Sequence, residues 1–214
     1  MLAGGLIALA LAMSNPSPAE GNIDPKAQDV IDRTRTTTRP HVVYYRAHSS
    51  AGYGKQKYWL SAVFHQGAQF RTESPWIRIT ADCAKGTAVQ LEIVAKQPGG
   101  GKYTADPKYA KQACGISADR EILSARWIGK KLGRFGPFDQ IEIIEKKGSY
   151  IYSVGRGGEI LGVTMTPTGD PNPIVTEAVA FEYELPDGEL FSIKSLERSA
   201  IPSEIKRTWV SAPR

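Results

Sequence analysis

Alternation of apolar and polar residues dominates the first half of the chain and predicts β-strands. The run His41–His48 (HVVYYRAH) predicts the first strand, and a turn is expected over Ser49–Gly54. Further strands are predicted over Lys57–His65, Gln69–Glu73, Trp76–Thr80 and Thr87–Lys96, followed by a loop over Gln97–Tyr103. This spacing predicts an antiparallel meander of short strands joined by Gly- and Ser-containing turns.

One of the predicted hairpins is apolar on both of its faces. Leu60, Ala62 and Phe64 share one face of its first strand, and Trp59 and Val63 lie on the other. A sheet with one solvated face should be polar on that face. The second apolar face must therefore contact something, either another layer of the protein or a bound molecule.

A short amphipathic helix is predicted before the first strand. Asp24 can cap its N-terminus, and Pro25 suits the first helical position. Residues Ala27, Val30, Ile31 and Thr34 share one face at helical spacing. Pro40 is expected to end the helix, which should lie on an apolar surface.

Two more helices are predicted in the middle of the chain. Asp106 and Pro107 favour the start of a short helix that ends near Cys114. Ser117 can cap a second helix, and Gly133 suits its C-terminal end. The second helix would present one stripe of Ile122, Ala125 and Gly129 and a neighbouring stripe of Leu123, Trp127, Ile128 and Leu132.

The remainder of the chain again shows strand patterns. Strands are predicted over Gln140–Lys146, Ser149–Gly155, Glu159–Pro167, Ile174–Leu185, Glu189–Arg198 and Ser203–Ser211. The chain is therefore predicted to be α+β, with a curved antiparallel sheet of about ten strands covered by two or three helices. So many sequential strands must curl into a barrel or half-barrel, or split into a sandwich.

The N-terminus carries the pattern of an export signal. Leu2–Ala12 is an apolar run followed by small residues, which predicts a signal peptide over residues 1–19 and a single domain over residues 20–214. A buried N-terminal helix is the alternative. The run is too short to span a bilayer, and no later segment is long and apolar enough to do so. The predicted location is the periplasm.

Cys83 and Cys114 are the only cysteines of the chain. In an exported protein such a pair is most simply a disulfide. Two buried thiols or half of a metal site are the alternatives. His41, His48 and His65 lack the spacing of zinc ligands, so neither a metal nor a cofactor is predicted.

Charge and motifs narrow the functional classes. The net charge of +5 comes from dispersed basic residues, whereas a nucleic-acid-binding protein concentrates them in a stripe or motif. The basic residues form a solvated surface or attract anionic lipids and polymers. The sequence contains neither a Gly-x-Ser-x-Gly motif nor a phosphate-binding loop, and no enzyme activity is predicted.

The order of elements resembles the periplasmic lipoprotein-carrier (LolA-like) family. The resemblance is carried by KAQDVIDRTRTTTRPHVVYYRAHSS, by KYWLSAVFHQGAQFRTESPWIRITAD and by LERSAIPSEIKRTWV. Two positions depart from the family pattern: Gln66-Gly67 replaces Arg-Pro at the hairpin turn, and Asp82-Cys83-Ala84-Lys85 replaces Asp-Gly-Lys. The missing arginine is tied to lid control in the carriers, so the resemblance concerns the fold more than the cargo.

The resemblance implies a half-barrel whose apolar groove takes acyl chains under a helical lid. The candidate lining residues are Leu60, Phe64, Phe70, Ile77, Ile79, Leu91 and Ile93 from strands, with Leu123 and Trp127 from the covering helix. The same residues could instead simply fill a core.

Three functions are compatible with these patterns. The first is a soluble, monomeric periplasmic protein that binds or carries a lipid-like or lipoprotein ligand without catalysis. The alternative is an envelope interaction or sensor module that holds a protein partner through a sheet edge or an apolar patch. A hydrolase acting on envelope polymers is the third.

Overall fold

The computed structural model describes residues 22–36, 39–49, 57–93, 101–116, 121–186 and 189–210. The predicted signal peptide over residues 1–19 and most of the predicted turn Ser49–Gly54 lie outside these ranges. The strands are β1 (Asn22–Ile23), β2 (His41–Ser49), β3 (Lys57–Gln66), β4 (Gln69–Glu73), β5 (Ile77–Asp82), β6 (Thr87–Ile93), β7 (Gly101–Ala105), β8 (Ile122–Gly133), β9 (Gly136–Glu145), β10 (Gly148–Gly155), β11 (Ile160–Pro167) and β12 (Ile174–Glu182). The helices are α1 (Pro25–Thr36), α2 (Pro107–Ala113) and α3 (Ser203–Val210), with a 3₁₀ turn over Lys194–Glu197.

All twelve strands belong to one open, curved sheet, in the order β1-β8-β9-β10-β11-β12-β2-β3-β4-β5-β6-β7. Every pair is antiparallel except β1 with β8. The two halves of the sheet join where β12 pairs with β2, from Ile174 opposite Ser49 to Glu182 opposite Val42. The predicted α+β class with a curved antiparallel sheet is confirmed.

One face of the sheet is covered by α1 and α2. Helix α1 buries Ala27, Val30, Ile31 and Thr34, the four residues that its pattern predicted. They pack over β8–β11 in a cluster that also contains Ile116, Ala125, Ile141, Ile143, Tyr150, Tyr152 and Val154. Helix α2 begins where it was predicted, and Asp106 caps its N-terminus. The Asp106 side chain accepts a hydrogen bond from the Lys108 amide. It packs on a second cluster formed by Phe70, Ile79, Ala81 and Ala88 of β4–β6.

The opposite face of β2–β5 is covered by residues 185–186 and 189–205, named here the C-terminal segment. Leu190 and Ile201 of this segment pack against Val42, Tyr44, Ala62 and Phe64. The two apolar faces of the hairpin differ in their cover: the C-terminal segment lies over Phe64, while Val63 packs against the α2 cluster and is only partly buried.

The prediction of a second mid-chain helix ending at Gly133 is wrong. Residues Ile122–Gly133 form strand β8, and Ser117 lies outside the described residues. The ladder with β9 is irregular between Ile122 and Ser124 and again between Trp127 and Gly129. Each irregularity adds a residue and breaks the strict alternation that identifies a strand. The apolar residues consequently recur at spacings that mimic a helix.

The two C-terminal strand predictions are also wrong. Glu189–Arg198 forms turns and the 3₁₀ helix, and Ser203–Val210 is helix α3. Carbonyl groups of Leu190, Phe191 and Leu196 accept from side chains of the sheet rather than from a neighbouring strand. Because these groups are satisfied in this way, the segment needs no strand partner. The loop predicted over Gln97–Tyr103 ends earlier than expected, since β7 begins at Gly101.

Candidate functional site

A cavity of about 390 Å³ lies on the helix-covered face of the sheet. It occupies the gap between the α1 cluster on β8–β11 and the α2 cluster on β4–β6. Its lining comprises Thr34, His41, Tyr45, Ser61, Ala62, Val63, Phe70, Thr72, Glu73, Ser74, Ile77, Ile79, Ala113, Gly115, Gly158, Ile160, Val163 and Thr176. One space is thus lined by the ends of α1 and α2 and by residues of seven strands or their adjoining turns.

The strand register explains why these residues meet. Val63 of β3 lies opposite Thr72 of β4, which in turn lies opposite Ile79 of β5. Val163 of β11 lies opposite Thr176 of β12 in the other half of the sheet. Side chains that face each other across paired strands lie on the same side of a sheet. The floor of the cavity therefore consists of two rows on the same face of the sheet, one in each half, with Tyr45 of β2 between them.

Two hydroxyl groups in the lining, those of Tyr45 and Thr34, have partners within the protein. The Tyr45 hydroxyl donates to the Ile160 carbonyl at 2.5 Å, and burial raises the pKa of Tyr45, so the phenol is neutral. The Thr34 hydroxyl donates to the Ile31 carbonyl at 2.7 Å and accepts from the Ile116 amide at 3.0 Å. Both hydroxyl groups are thus hydrogen-bonded within the protein.

His41 lines the cavity, and its ring lies 5.0 Å from that of a second buried histidine, His65. Nδ1 of His41 lies 3.0 Å from the Arg39 carbonyl, and Nε2 of His65 lies 2.7 Å from the Gly67 carbonyl. A carbonyl only accepts, so each of these nitrogens carries a proton and donates. Burial lowers the pKa of His41, and lowers that of His65 to about 4. Both rings are neutral near pH 7 and add no charge.

Three predicted lining residues meet at the cavity, namely Phe70, Ile77 and Ile79. Phe64 and Leu91 are buried elsewhere. Leu60 and Ile93 line a separate cleft of about 530 Å³ that also contains Trp59 and Trp76. The Glu73–Ser74 stretch of the chain borders both spaces, so a thin wall separates the cleft from the cavity.

The placement of Leu123 and Trp127 on a covering helix is wrong, because both lie on β8. Leu123 is 48% exposed. The indole Nε1 of Trp127 donates to Oδ1 of Asp139 at 3.1 Å, and the Lys26 ammonium lies 4.7 Å from the ring centroid. Trp127 thus supports the docking of α1 and does not line the cavity.

Sequence reasoning missed the part of the lining that comes from β2, β11 and β12. Tyr45, Ile160, Val163 and Thr176 were absent from the predicted set although their strands were predicted. The alternation along each strand assigns these residues to a face. It does not reveal that β12 pairs with β2, and only that pairing brings the two halves together.

The predicted disulfide between Cys83 and Cys114 is confirmed. It ties the turn after β5 to the end of α2, with Cα atoms 5.9 Å apart. The pair lies beside the α2 cluster and next to Ala113 and Gly115, which line the cavity. The disulfide therefore fixes one wall of the site.

Neither a metal centre nor a membrane-spanning helix is found within the described ranges. Among these residues no three potential metal ligands of the His, Cys, Asp or Glu type come together. None of the helices described above has the length and apolar character to cross a bilayer.

Comparison with known proteins gives similarity at the level of structure. No family model and no curated protein matches the sequence. Similar solved structures include an uncharacterized conserved protein from Thermus thermophilus, 11% identical, with a TM-score of 0.52 over 84% of this chain and 96% of the other.

Two further structures are similar to a lesser extent. MucB is 8% identical with a TM-score of 0.47, and the match covers 81% of this chain but 64% of MucB. A LolA superfamily protein from Nitrosomonas europaea is 8% identical with a TM-score of 0.42, over 79% of this chain and 99% of the other. The solved structures found to be similar include a LolA superfamily protein, and the similarity is one of fold alone.

Proposed function

We propose that this protein is a soluble, monomeric periplasmic protein that binds or carries the acyl chain of a lipid or lipoprotein in the cavity, without catalysis. The observation that carries the proposal is the cavity of about 390 Å³ between the sheet and the ends of α1 and α2. Its size lies within the roughly 300–1,000 Å³ typical of small-molecule sites.

The chemistry of the lining favours an apolar ligand. Val63, Phe70, Ile79 and Val163 supply apolar contact area, while the histidines nearby are neutral. Burial of an acyl chain yields roughly 25 cal/mol per Å² of apolar surface before the costs of association. A charged headgroup would remain outside, because burial of an unpaired charge is costly.

The periplasmic location is supported by two independent features. The Cys83–Cys114 disulfide is typical of an oxidising compartment. The N-terminal apolar run at Leu2–Ala12 has the length of the hydrophobic region of a signal peptide.

Filling the cavity tests the proposal. We expect Thr72→Phe to weaken binding of a fluorescent fatty acid by about tenfold or more, because the new ring occupies the space of the ligand. Thr164→Phe is the matched control: it adjoins Val163 on β11 and therefore faces the other side of the sheet. Binding would be followed by fluorescence titration, with circular dichroism to verify folding.

Equal affinities in the two variants would contradict the proposal. A direct measurement complements the titration: native and denatured mass spectrometry of protein from a periplasmic extract, with analysis of an organic extract. A reproducible acyl-chain ligand that is present in the wild type and lost in Thr72→Phe supports the proposal.

A further inference from the structure

Strand β8 leaves part of one sheet edge without a strand partner in the described residues. Strand β1 pairs with β8 only at Ser124 and Ala125. The Asp24 carboxylate accepts from the Trp127 amide at 3.3 Å. From Ile128 to Gly133 the described chain supplies no neighbouring strand on this side, although β8 continues to pair with β9. We name Ile128–Gly133 the β8 edge.

Apolar side chains are exposed along the β8 edge. Leu132 is 82% exposed, and Ile128 is also exposed. Edge strands of soluble proteins are usually protected by charge, bulges or short length; β8 carries two lysines and an irregularity at Ile128 but is long. The opposite edge, β7, has five residues (Gly101–Ala105), whereas β8 has twelve. The β8 edge therefore combines unpaired backbone with apolar contact surface.

The charge of the β8 edge is strongly positive. Lys130, Lys131 and Arg134 are exposed within five positions of one another. The carboxylate opposite Lys130, that of Asp139, is bound at 2.5 Å by Arg33 of α1. A second copy of the chain paired edge to edge would bring these cations together, and like charges placed opposite each other destabilise a strand pair. The charge thus disfavours self-association and favours an acidic partner.

We propose that the β8 edge binds an acidic, extended polypeptide segment of a partner protein by strand addition. The partner backbone would pair with Ile128–Gly133, its acidic side chains would face the Lys131 and Arg134 cations, and an apolar residue would cover Leu132. A backbone partner is favoured over other anions because only another strand satisfies a row of unpaired amide and carbonyl groups. This surface is distinct from the lipid cavity and does not depend on it.

The experiment uses a capped peptide of about eight alternating valine and glutamate residues as the probe. A valine–lysine peptide of equal length serves as the control probe. Binding to the purified protein is measured by fluorescence anisotropy, and amide hydrogen exchange reports which strand becomes protected. We expect the acidic peptide to bind and to slow exchange in β8 from Ile128 to Leu132, and the basic peptide to do neither.

A pair of charge-reversal variants makes the test specific. Lys131→Glu combined with Arg134→Glu should weaken acidic-peptide binding by about tenfold or more. The matched control is Lys146→Glu combined with Lys147→Glu, which changes the same net charge at the turn on the opposite end of β9. The control should retain wild-type affinity.

Three results would overturn the proposal. The first is an absence of peptide binding, which would assign Lys130 and Lys131 to protection of the edge against pairing. The second is an equal loss of affinity in both double variants, which would show an attraction that depends on net charge alone. The third is peptide binding with no slowing of exchange in β8, which would place the peptide elsewhere.

Discussion

At the scale of single residues, His65 couples stability to pH. Its ring is fully buried, stacks on Phe70 with centroids 3.9 Å apart and donates to the Gly67 carbonyl. Burial lowers its pKa from the ordinary value of 6.5 to about 4. Between these values the unfolded chain binds a proton that the folded protein excludes, so the folded state loses stability as the pH falls from 6.5 to 4.

His65→Phe tests this coupling. The full loss of folding stability attributable to His65 is on the order of 3 kcal/mol and is reached below about pH 4. The variant keeps a ring beside Phe70 but cannot titrate, so its free energy of unfolding should fall less between about pH 7 and pH 5 than that of the wild type. Urea unfolding at the two pH values measures the difference. Phe70→Leu is the packing control and should lower stability by a similar amount at both values; a His65→Phe slope equal to that of the wild type would refute the assignment.

At the scale of elements, the docking of α1 depends on a close backbone approach at Gly158. This residue has a φ of +94°, and a Cβ atom placed on it would collide with the Arg33 carbonyl of α1. Gly169 also has a positive φ, +80°, but a Cβ atom there would meet nothing within 4 Å. The two glycines share the same backbone constraint and differ in the contact with the helix.

Alanine substitution at the two positions separates the cost of backbone strain from the cost of the contact with α1. Gly169→Ala should cost roughly 1–2 kcal/mol of stability through backbone strain alone. Gly158→Ala should cost about 1–3 kcal/mol more, because α1 must shift to make room. Hydrogen exchange in α1 should accelerate in Gly158→Ala only. Equal costs for the two variants, measured by urea unfolding, would show that the approach of Arg33 does not constrain the helix.

At the scale of the whole molecule, one buried arginine joins the sheet to the C-terminal segment. Arg71 is almost fully buried, pairs with Glu73 at 2.5 Å and donates to the carbonyls of Leu190 at 2.8 Å and Arg198 at 2.7 Å. Glu73 also accepts from the Ala200 amide at 2.9 Å. Together these bonds hold the C-terminal segment over the face of the hairpin opposite the cavity.

Arg71→Leu should therefore destabilise the protein by about 3–5 kcal/mol, since it leaves a buried carboxylate and several carbonyls without a donor. Arg46→Leu removes a more exposed pair with Glu177 and should cost less than about 1 kcal/mol. Adding Glu73→Leu to Arg71→Leu should recover part of the loss. Urea unfolding measures all three variants, and similar costs for the Arg71 and Arg46 variants would contradict this role.

The sequence alone determined the features that depend on neighbouring residues. The start of α1 at Asp24–Pro25 and its buried face follow from capping and helical spacing, both of which act within the helix itself. The strands around Gly67 follow from alternation and from a turn that glycine permits. The cysteine pair in a chain with an export pattern was sufficient to indicate the disulfide.

Only the tertiary structure decided the remaining features, because they depend on partners distant in the chain. Ile122–Gly133 became a strand with two irregularities since β9 supplied its hydrogen-bond partners. Residues 189–198 did not form a strand, because the side chains of Arg71, Arg78 and Thr80 donate to their carbonyl groups. The position of the cavity also depends on distant parts of the chain, because the apolar residues that line it are of the same types as those of the core. Whether Ile79 or Phe64 faces an open space depends on strand register and on where the two helices end, neither of which local pattern specifies.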